Sequence, residues 1–335
     1  MPIGRIGPMP RAPLARRRIL VGVLLTGVLA SCAPDAPAPT RPSASPTVSP
    51  STAAPRAPIP TGTAPARTFA VGLRTLRFDR GPERPLPVTI WYPAHGPRSA
   101  AARPGLPVAD GRFPVVLFSH GLSTEPTEYA PLVTAWAAAG FVVVAPSYPH
   151  TRRGAPEPAI VDVVNQPADA SHVLTEVLAL DRTEGDPLAG HLNTDQVAAA
   201  GHSAGAITTI GLFTVARDPR LDAGVVLAGS ALGVGTAFSG SAAPLLFVHG
   251  ELDDVISFAA GQAVYDQVPW PKAMLRLPEG DHGRNVFRAD SRALDVVVET
   301  TVEFLRWALY GDVEAKRRLP AVATRHGVAV FDNRL

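Results

Sequence analysis

The chain has 335 residues, 46% of them hydrophobic and 18% charged, with a formal net charge of +2. That positive balance is local: the first 31 residues hold five arginines and no acid, so beyond them 26 basic residues face 29 acidic ones. No basic stripe remains to neutralise phosphates, which excludes nucleic acid as a partner. One cysteine excludes an intramolecular disulfide, and the lack of H-E-x-x-H or C-x-x-C leaves neither a metal nor any other cofactor implied.

Arg5, Arg11 and Arg16 to Arg18 form a basic start, and Ile19 to Leu29 an apolar run of about 11 residues, too short to span a bilayer. Leu29-Ala30-Ser31-Cys32 closes it and resembles the lipobox of bacterial lipoproteins. That resemblance implies a lipidated Cys32 as the new N-terminus, with the protein exported and anchored on the outer face of the cytoplasmic membrane. Arg16-Arg17-Arg18-Ile19-Leu20 weakly resembles a twin-arginine signal, so both export routes stay open. Residues 33 to 66 hold ten prolines and no aromatic residue, which predicts a disordered tether. The organisation expected is thus a signal peptide (1–31), a tether (32–66) and one domain (67–335).

Thr68 to Phe78 and Leu86 to Tyr92 alternate apolar and polar residues across the turn at Asp79-Arg80-Gly81-Pro82, which predicts an antiparallel pair. Phe113–Ser119, Phe141–Ala145, Val197–Ala200, Ala223–Leu227, Pro244–Val248 and Ala273–Leu277 read as strands, most of them near-continuous apolar runs suited to burial on both faces. Helices are expected at Tyr129–Ala139, Pro167–Leu180, Ala204–Ala216, Ala259–Gln267 and Leu294–Tyr310. The alternation predicts an α/β domain with a mostly parallel sheet of about eight strands, helices on both faces, and function at the carboxyl ends of the strands.

Gly201-His202-Ser203-Ala204-Gly205 lies between a predicted strand and a predicted helix, the setting of a nucleophilic serine on a strained turn. Its small residues let strand and helix pass closely. The turn Ser119-His120-Gly121-Leu122 follows another strand, and the backbone N–H groups of Leu122 and Ala204 are the candidate oxyanion donors. His120 reads as a structural ring that orients this turn. A carboxylate is expected after Pro244–Val248, where Asp253 fits by spacing, Asp254 competes and Glu251 braces the turn. The base must follow it; of His282 and His326, His282 sits on a flexible loop after a strand, with Asp281 turned to solvent or loop. His202 reads as a residue that packs or hydrogen-bonds beneath the elbow, and His150 as one that either lines the pocket or does not.

The motifs Pro87-Val-Thr-Ile-Trp-Tyr-Pro93, Phe118-Ser-His-Gly-Leu122 and Gly201-His-Ser-Ala-Gly205 resemble the α/β-hydrolase superfamily, and within it the platelet-activating-factor acetylhydrolase-like and dienelactone-hydrolase-like group. Dienelactone hydrolases proper use cysteine where this chain has Ser203, which favours the esterase side. The resemblance implies oxyanion donors at Leu122 and Ala204 and agrees with the triad Ser203, Asp253 and His282. The function expected is a membrane-tethered, monomeric serine esterase acting on small, short-acyl or lipid-like esters. Alternatives are a polyester or cutin-type hydrolase, with Trp91, Trp136 and Trp270 as groove candidates, and a lipase or phospholipase, against which the polar insertion Thr151 to Pro158 speaks. A surface binding lipoprotein on a hydrolase scaffold is the non-catalytic alternative.

Overall fold

The computed structural model describes residues 62–284 and 286–335. Cys32, the signal segment and most of the tether lie outside the described residues. The first described residues, 62–66, run along the domain: Arg306 reaches the Pro65 carbonyl at 3.5 Å and Ala64 N–H faces Asp312 at 3.4 Å.

One mixed sheet organises the domain, built from β1 (Ala70–Asp79), β2 (Pro85–Ala94), β3 (Arg103–Pro104), β4 (Phe113–Ser119), β5 (Val142–Pro146), β6 (Leu192–His202), β7 (Leu221–Leu227), β8 (Leu245–Gly250), β9 (Lys272–Leu277) and β10 (Val330–Arg334). Their spatial order is β10-β9-β8-β7-β6-β4-β5-β2-β1-β3. Six strands, β5-β4-β6-β7-β8-β9, run parallel, while β1/β2, β2/β5 and β9/β10 pair antiparallel. The predicted N-terminal pair and parallel centre are both present.

Continuous apolar strands feed two cores at once because successive side chains point to opposite faces. Val115 and Leu117 of β4 face the layer that holds α2 (Gln166–Ala179), α3 (Ala204–Gly211) and α4 (Phe258–Gln267). Val116 and Phe118 face α1 (Ala130–Ala138), α5 (Arg292–Leu305) and α6 (Val313–Ala323). Trp91 and Trp136 lie in the second core and Trp270 in the first, so none of the three tryptophans is free to line a groove.

Four elements differ from expectation, the two-residue strand β3 beside β1 being the first. The helix after the elbow ends at Gly211 rather than Ala216, because Ala216 N–H turns back to the Gly211 carbonyl at 3.0 Å and the Thr214 hydroxyl binds the Ile210 and Val234 carbonyls. The stretch after Tyr310, to which the sequence assigns no element, contains α6, capped by the Asp312 carboxylate on Glu314 and Ala315 N–H, and the edge strand β10. An edge strand needs no apolar run, since one flank and much of its face meet water.

The chain runs from β4 outward to β5 and then returns to the other side of β4 for β6. That reversal opens a crevice at the carboxyl ends of β4 and β6, where the topology of such sheets places ligands.

Candidate active site

Ser203 stands between β6 and α3 with φ 56° and ψ −120°, the strained backbone that a nucleophile elbow requires. Two close approaches make it possible. A Cβ on Gly201 would lie 2.2 Å from the Gly205 carbonyl oxygen, and one on Gly205 would lie 2.0 Å from that of Ser119, so only glycine lets β6, α3 and β4 meet here. The Ser203 N–H is bound to the Leu227 carbonyl of β7 at 3.0 Å, which fixes the elbow to the sheet.

The loops after β8 and β9 are stitched together, Glu251 N–H to Leu277 O at 2.9 Å and Leu252 N–H to Gly280 O at 3.0 Å. This joins Asp253 to His282, although they lie 29 positions apart in sequence. His282 Nδ1 lies 2.7 Å from Asp253 Oδ2, and His282 Nε2 lies 2.7 Å from Ser203 Oγ. A carboxylate only accepts, so Nδ1 carries the proton and Nε2 is the acceptor for the serine hydroxyl. Asp253 Oδ1 accepts from Val255 and Ile256 N–H at 2.9 and 2.8 Å, which holds the carboxylate in one orientation.

The neighbouring acids and histidines lie elsewhere. Asp254 is exposed and binds Arg284 at 2.9 Å; Glu251 pairs with Arg276 at 3.3 Å; Asp281 turns into its own loop and accepts from Gly283 N–H at 2.9 Å. His326 is exposed in the turn after α6, and His150 contacts the Glu157 carbonyl rather than the cavity.

Leu122 and Ala204 both line the cavity, and among the described residues neither N–H donates to a protein acceptor. The Leu122 N–H belongs to a peptide whose carbonyl, that of Gly121, accepts from His120 Nδ1–H at 2.8 Å and the Thr124 hydroxyl at 2.7 Å. Because the peptide unit is planar, anchoring its oxygen aims its N–H the other way. His120, fully buried and pushed below the usual histidine range by that burial, accepts from Tyr148 N–H at 3.1 Å through its other nitrogen. Its expected role in orienting the turn has this geometry behind it.

The cavity in front of Ser203 measures about 930 Å³. Its walls include Tyr129, Ile207, Ala260 and Phe287, and its rim carries Leu122, Ile160, Leu232 and Val255, all exposed apolar side chains. Ile160 belongs to a 3-10 turn, Ile160–Val164, that follows the polar insertion and also exposes Val161 and Val164. The mouth is therefore largely apolar, with Glu128 and Arg284 as charged members of the lining, even though the insertion before it is polar.

Two participants escaped the sequence reading. His249, nearly fully buried at the end of β8, donates through Nε2 to the Ile256 carbonyl at 2.8 Å and also approaches Asp253 Oδ2 at 3.3 Å. Burial lowers its pKa, so it meets the carboxylate as a neutral N–H donor. Tyr129 comes from a 3-10 turn before α1 and carried no sequence signal, whereas His202 was visible inside the pentapeptide. No group of three or more His, Cys, Asp or Glu residues suited to a metal occurs among the described residues.

A family model described as Chlorophyllase matches residues 93–234, a span that contains the Leu122 turn and the Ser203 elbow but stops before Asp253 and His282. The sheet order, the elbow and that match agree. The chain has the α/β-hydrolase fold. No curated protein matches the chain.

Proposed function

We propose that this α/β-hydrolase is a serine hydrolase of carboxylic esters. The observation that carries the reading is the line from Ser203 Oγ through His282 to Asp253, with 2.7 Å at both contacts. His282 Nε2 takes the hydroxyl proton as Ser203 Oγ attacks the ester carbonyl; Asp253 holds the imidazole in the accepting tautomer and stabilises the imidazolium that forms. The oxyanion settles between the N–H groups of Leu122 and Ala204, His282 returns the proton to the leaving alcohol, and water repeats the sequence on the acyl-enzyme. Ester as the bond class is supported by the chlorophyllase family match. No step calls for a metal or cofactor.

The cavity volume and aliphatic rim support an ester with a bulky apolar part, with the short acyl group that the sequence favours on the other side of the bond. A polyester groove lined by tryptophan has no support, since Trp91, Trp136 and Trp270 belong to the cores. Attachment to the outer face of the cytoplasmic membrane through lipidated Cys32 completes the reading and rests on the sequence of residues 1–32 alone.

Ser203→Ala is expected to lower p-nitrophenyl acetate hydrolysis by at least ~10³-fold and abolish labelling by a fluorophosphonate, with unchanged circular dichroism. Turnover retained in Ser203→Ala refutes the mechanism. An unlabelled, inactive wild type favours the binding-lipoprotein reading.

A further inference from the structure

The residue between Gly201 and Ser203 takes part in a hydrogen-bond chain that the mechanism above leaves unused. His202 Nε2 lies 2.6 Å from the backbone carbonyl of His282. A carbonyl only accepts, so Nε2 carries the proton and Nδ1 is left as an acceptor. Tyr129 OH lies 2.8 Å from that Nδ1, and itself receives the Gly121 N–H at 3.1 Å. The directions are thereby fixed along the whole chain, from Gly121 N–H to Tyr129 OH to His202 Nδ1, and from His202 Nε2–H to the His282 carbonyl.

Its two ends lie on the two loops that carry the proposed chemistry. Gly121 precedes Leu122, the oxyanion donor on the turn after β4; His282 is the base on the loop after β9. Outside this chain the two loops hang on different strands, with β6, β7 and β8 between β4 and β9 in the sheet. The Gly121 N–H is occupied by Tyr129, which leaves the Leu122 N–H as the donor of that turn that faces the cavity. The rings around the chain are packed: Phe287 meets His202 at 4.8 Å and Tyr129 at 5.7 Å between ring centres.

We propose that His202 and Tyr129 form a clasp that sets the position of the base His282 relative to the oxyanion turn, which makes both of them positioning residues for the ester hydrolysis proposed above, on which this inference rests. Oxyanion and imidazolium develop together in the transition state, so their stabilising groups must be held in one mutual geometry. Neutrality of His202 is part of the device. Its ring centre lies 5.0 Å from that of His282, where a second cation would oppose the imidazolium, and burial, followed by the neighbouring His282, pushes its pKa down to about 3.

The test uses the full chain with p-nitrophenyl butyrate as substrate, thermal melting alongside, and the variants Tyr129→Phe, His202→Leu, His202→Gln and the double variant Tyr129→Phe/His202→Leu. His202→Leu is expected to lower kcat by ~10²-fold with KM within about threefold, since the clasp acts on the transition state rather than on substrate binding. His202→Gln restores most of that loss, because its amide N–H reaches the His282 carbonyl. Tyr129→Phe keeps the ring packing and lowers kcat by ~10-fold, and the double variant is no slower than His202→Leu, as expected of residues acting as one unit. A His202→Gln as slow as His202→Leu, a loss confined to KM, or additive losses in the double variant overturn the clasp. If His202→Leu melts below the assay temperature, the other two variants decide against wild type: a ~10-fold lower kcat in Tyr129→Phe with KM within about threefold, and a His202→Gln near wild type, uphold the clasp, whereas an unchanged kcat in Tyr129→Phe or a loss confined to KM overturns it. A wild type inert to esters and to fluorophosphonate removes the hydrolase reading as well, whereas an active wild type with unaffected variants removes the clasp alone.

Discussion

Replacing Asp253 by asparagine changes one oxygen for an NH₂ group, and the surrounding donors decide how that amide must sit. Asp253 Oδ1 accepts two backbone N–H groups, from Val255 and Ile256, at 2.9 and 2.8 Å. The amide oxygen of the new side chain must take that place, because an NH₂ group there would confront two donors and forfeit both bonds, at ~1–3 kcal/mol each. The NH₂ group then occupies the Oδ2 position, against His282 Nδ1 and within reach of the His249 Nε2–H. It can only donate, so His282 turns acceptor at Nδ1 and carries its proton on Nε2, pointed at Ser203 Oγ. A general base whose lone pair has been exchanged for a proton cannot activate the serine.

The expected loss for Asp253→Asn is ~10⁴-fold in kcat, or ~5.5 kcal/mol of transition-state stabilisation at ~1.4 kcal/mol per decade, with KM close to wild type. Steady-state hydrolysis of p-nitrophenyl acetate measures it, with circular dichroism confirming the fold. Activity within tenfold of wild type refutes the reasoning, and so does a loss carried by KM. His249 opposes this placement, since its N–H faces the amide NH₂ at the Oδ2 position, but one approach at 3.3 Å weighs less than the two shorter bonds from the Val255 and Ile256 N–H groups that the flipped amide would lose.

Two further outcomes concern stability. Arg84 binds Asp162 at 2.8 and 2.9 Å and also Asp169, so Arg84→Met leaves Asp162 with Asn165 as its remaining side-chain partner and Asp169 with Arg80; the expected cost is ~3–5 kcal/mol by urea denaturation, and a loss under ~1 kcal/mol refutes it. His202 has its folded pKa lowered from 6.5 to about 3, so the unfolded chain binds its proton first as pH falls. Stability is therefore full above pH 6.5 and drains away toward pH 3, by ~2 kcal/mol from this residue at pH 5. Urea midpoints at pH 7.5 and pH 5 test it, and His202→Gln, which does not titrate, is expected to lose ~2 kcal/mol less between the two; equal pH sensitivity refutes the assignment.

What was legible in the sequence followed from local constraints. The elbow was readable because strand, strained serine and buried helix must adjoin in sequence, and Gly201 and Gly205 are required by approaches of 2.2 and 2.0 Å. The strands of the parallel core were readable because burial on both faces demands an unbroken apolar run. The proposed acid and base were open to reading by chain order and strand ends, yet Asp253 and Asp254 differ only in which way a loop turns, and the Val255 and Ile256 N–H groups that hold Asp253 are backbone. α6 and β10 were missed because a capped amphipathic helix and an edge strand carry no apolar run of their own.

Tyr129 shows the limit of that kind of reading and its cause. Nothing near it in sequence marks it, since its role is created by β4 lying next to β6, which brings the Gly121 turn over the elbow. His202 is half legible: its place in the pentapeptide is local, but its partners come from 73 residues upstream and 80 downstream. The apolar mouth has the same origin. Ile160, Leu232 and Val255 sit in three separate loops, and only the sheet order makes them one rim. Residues proposed to do the chemistry are tied to strand ends, which a sequence displays; those proposed to position them or to admit a substrate are tied to neighbours across the sheet, which it does not. Substrate choice belongs to the second group, so the acyl-chain and alcohol preference is expected to change on substitution of Ile160, Leu232 or Val255 while the reactivity of Ser203 toward a fluorophosphonate stays the same.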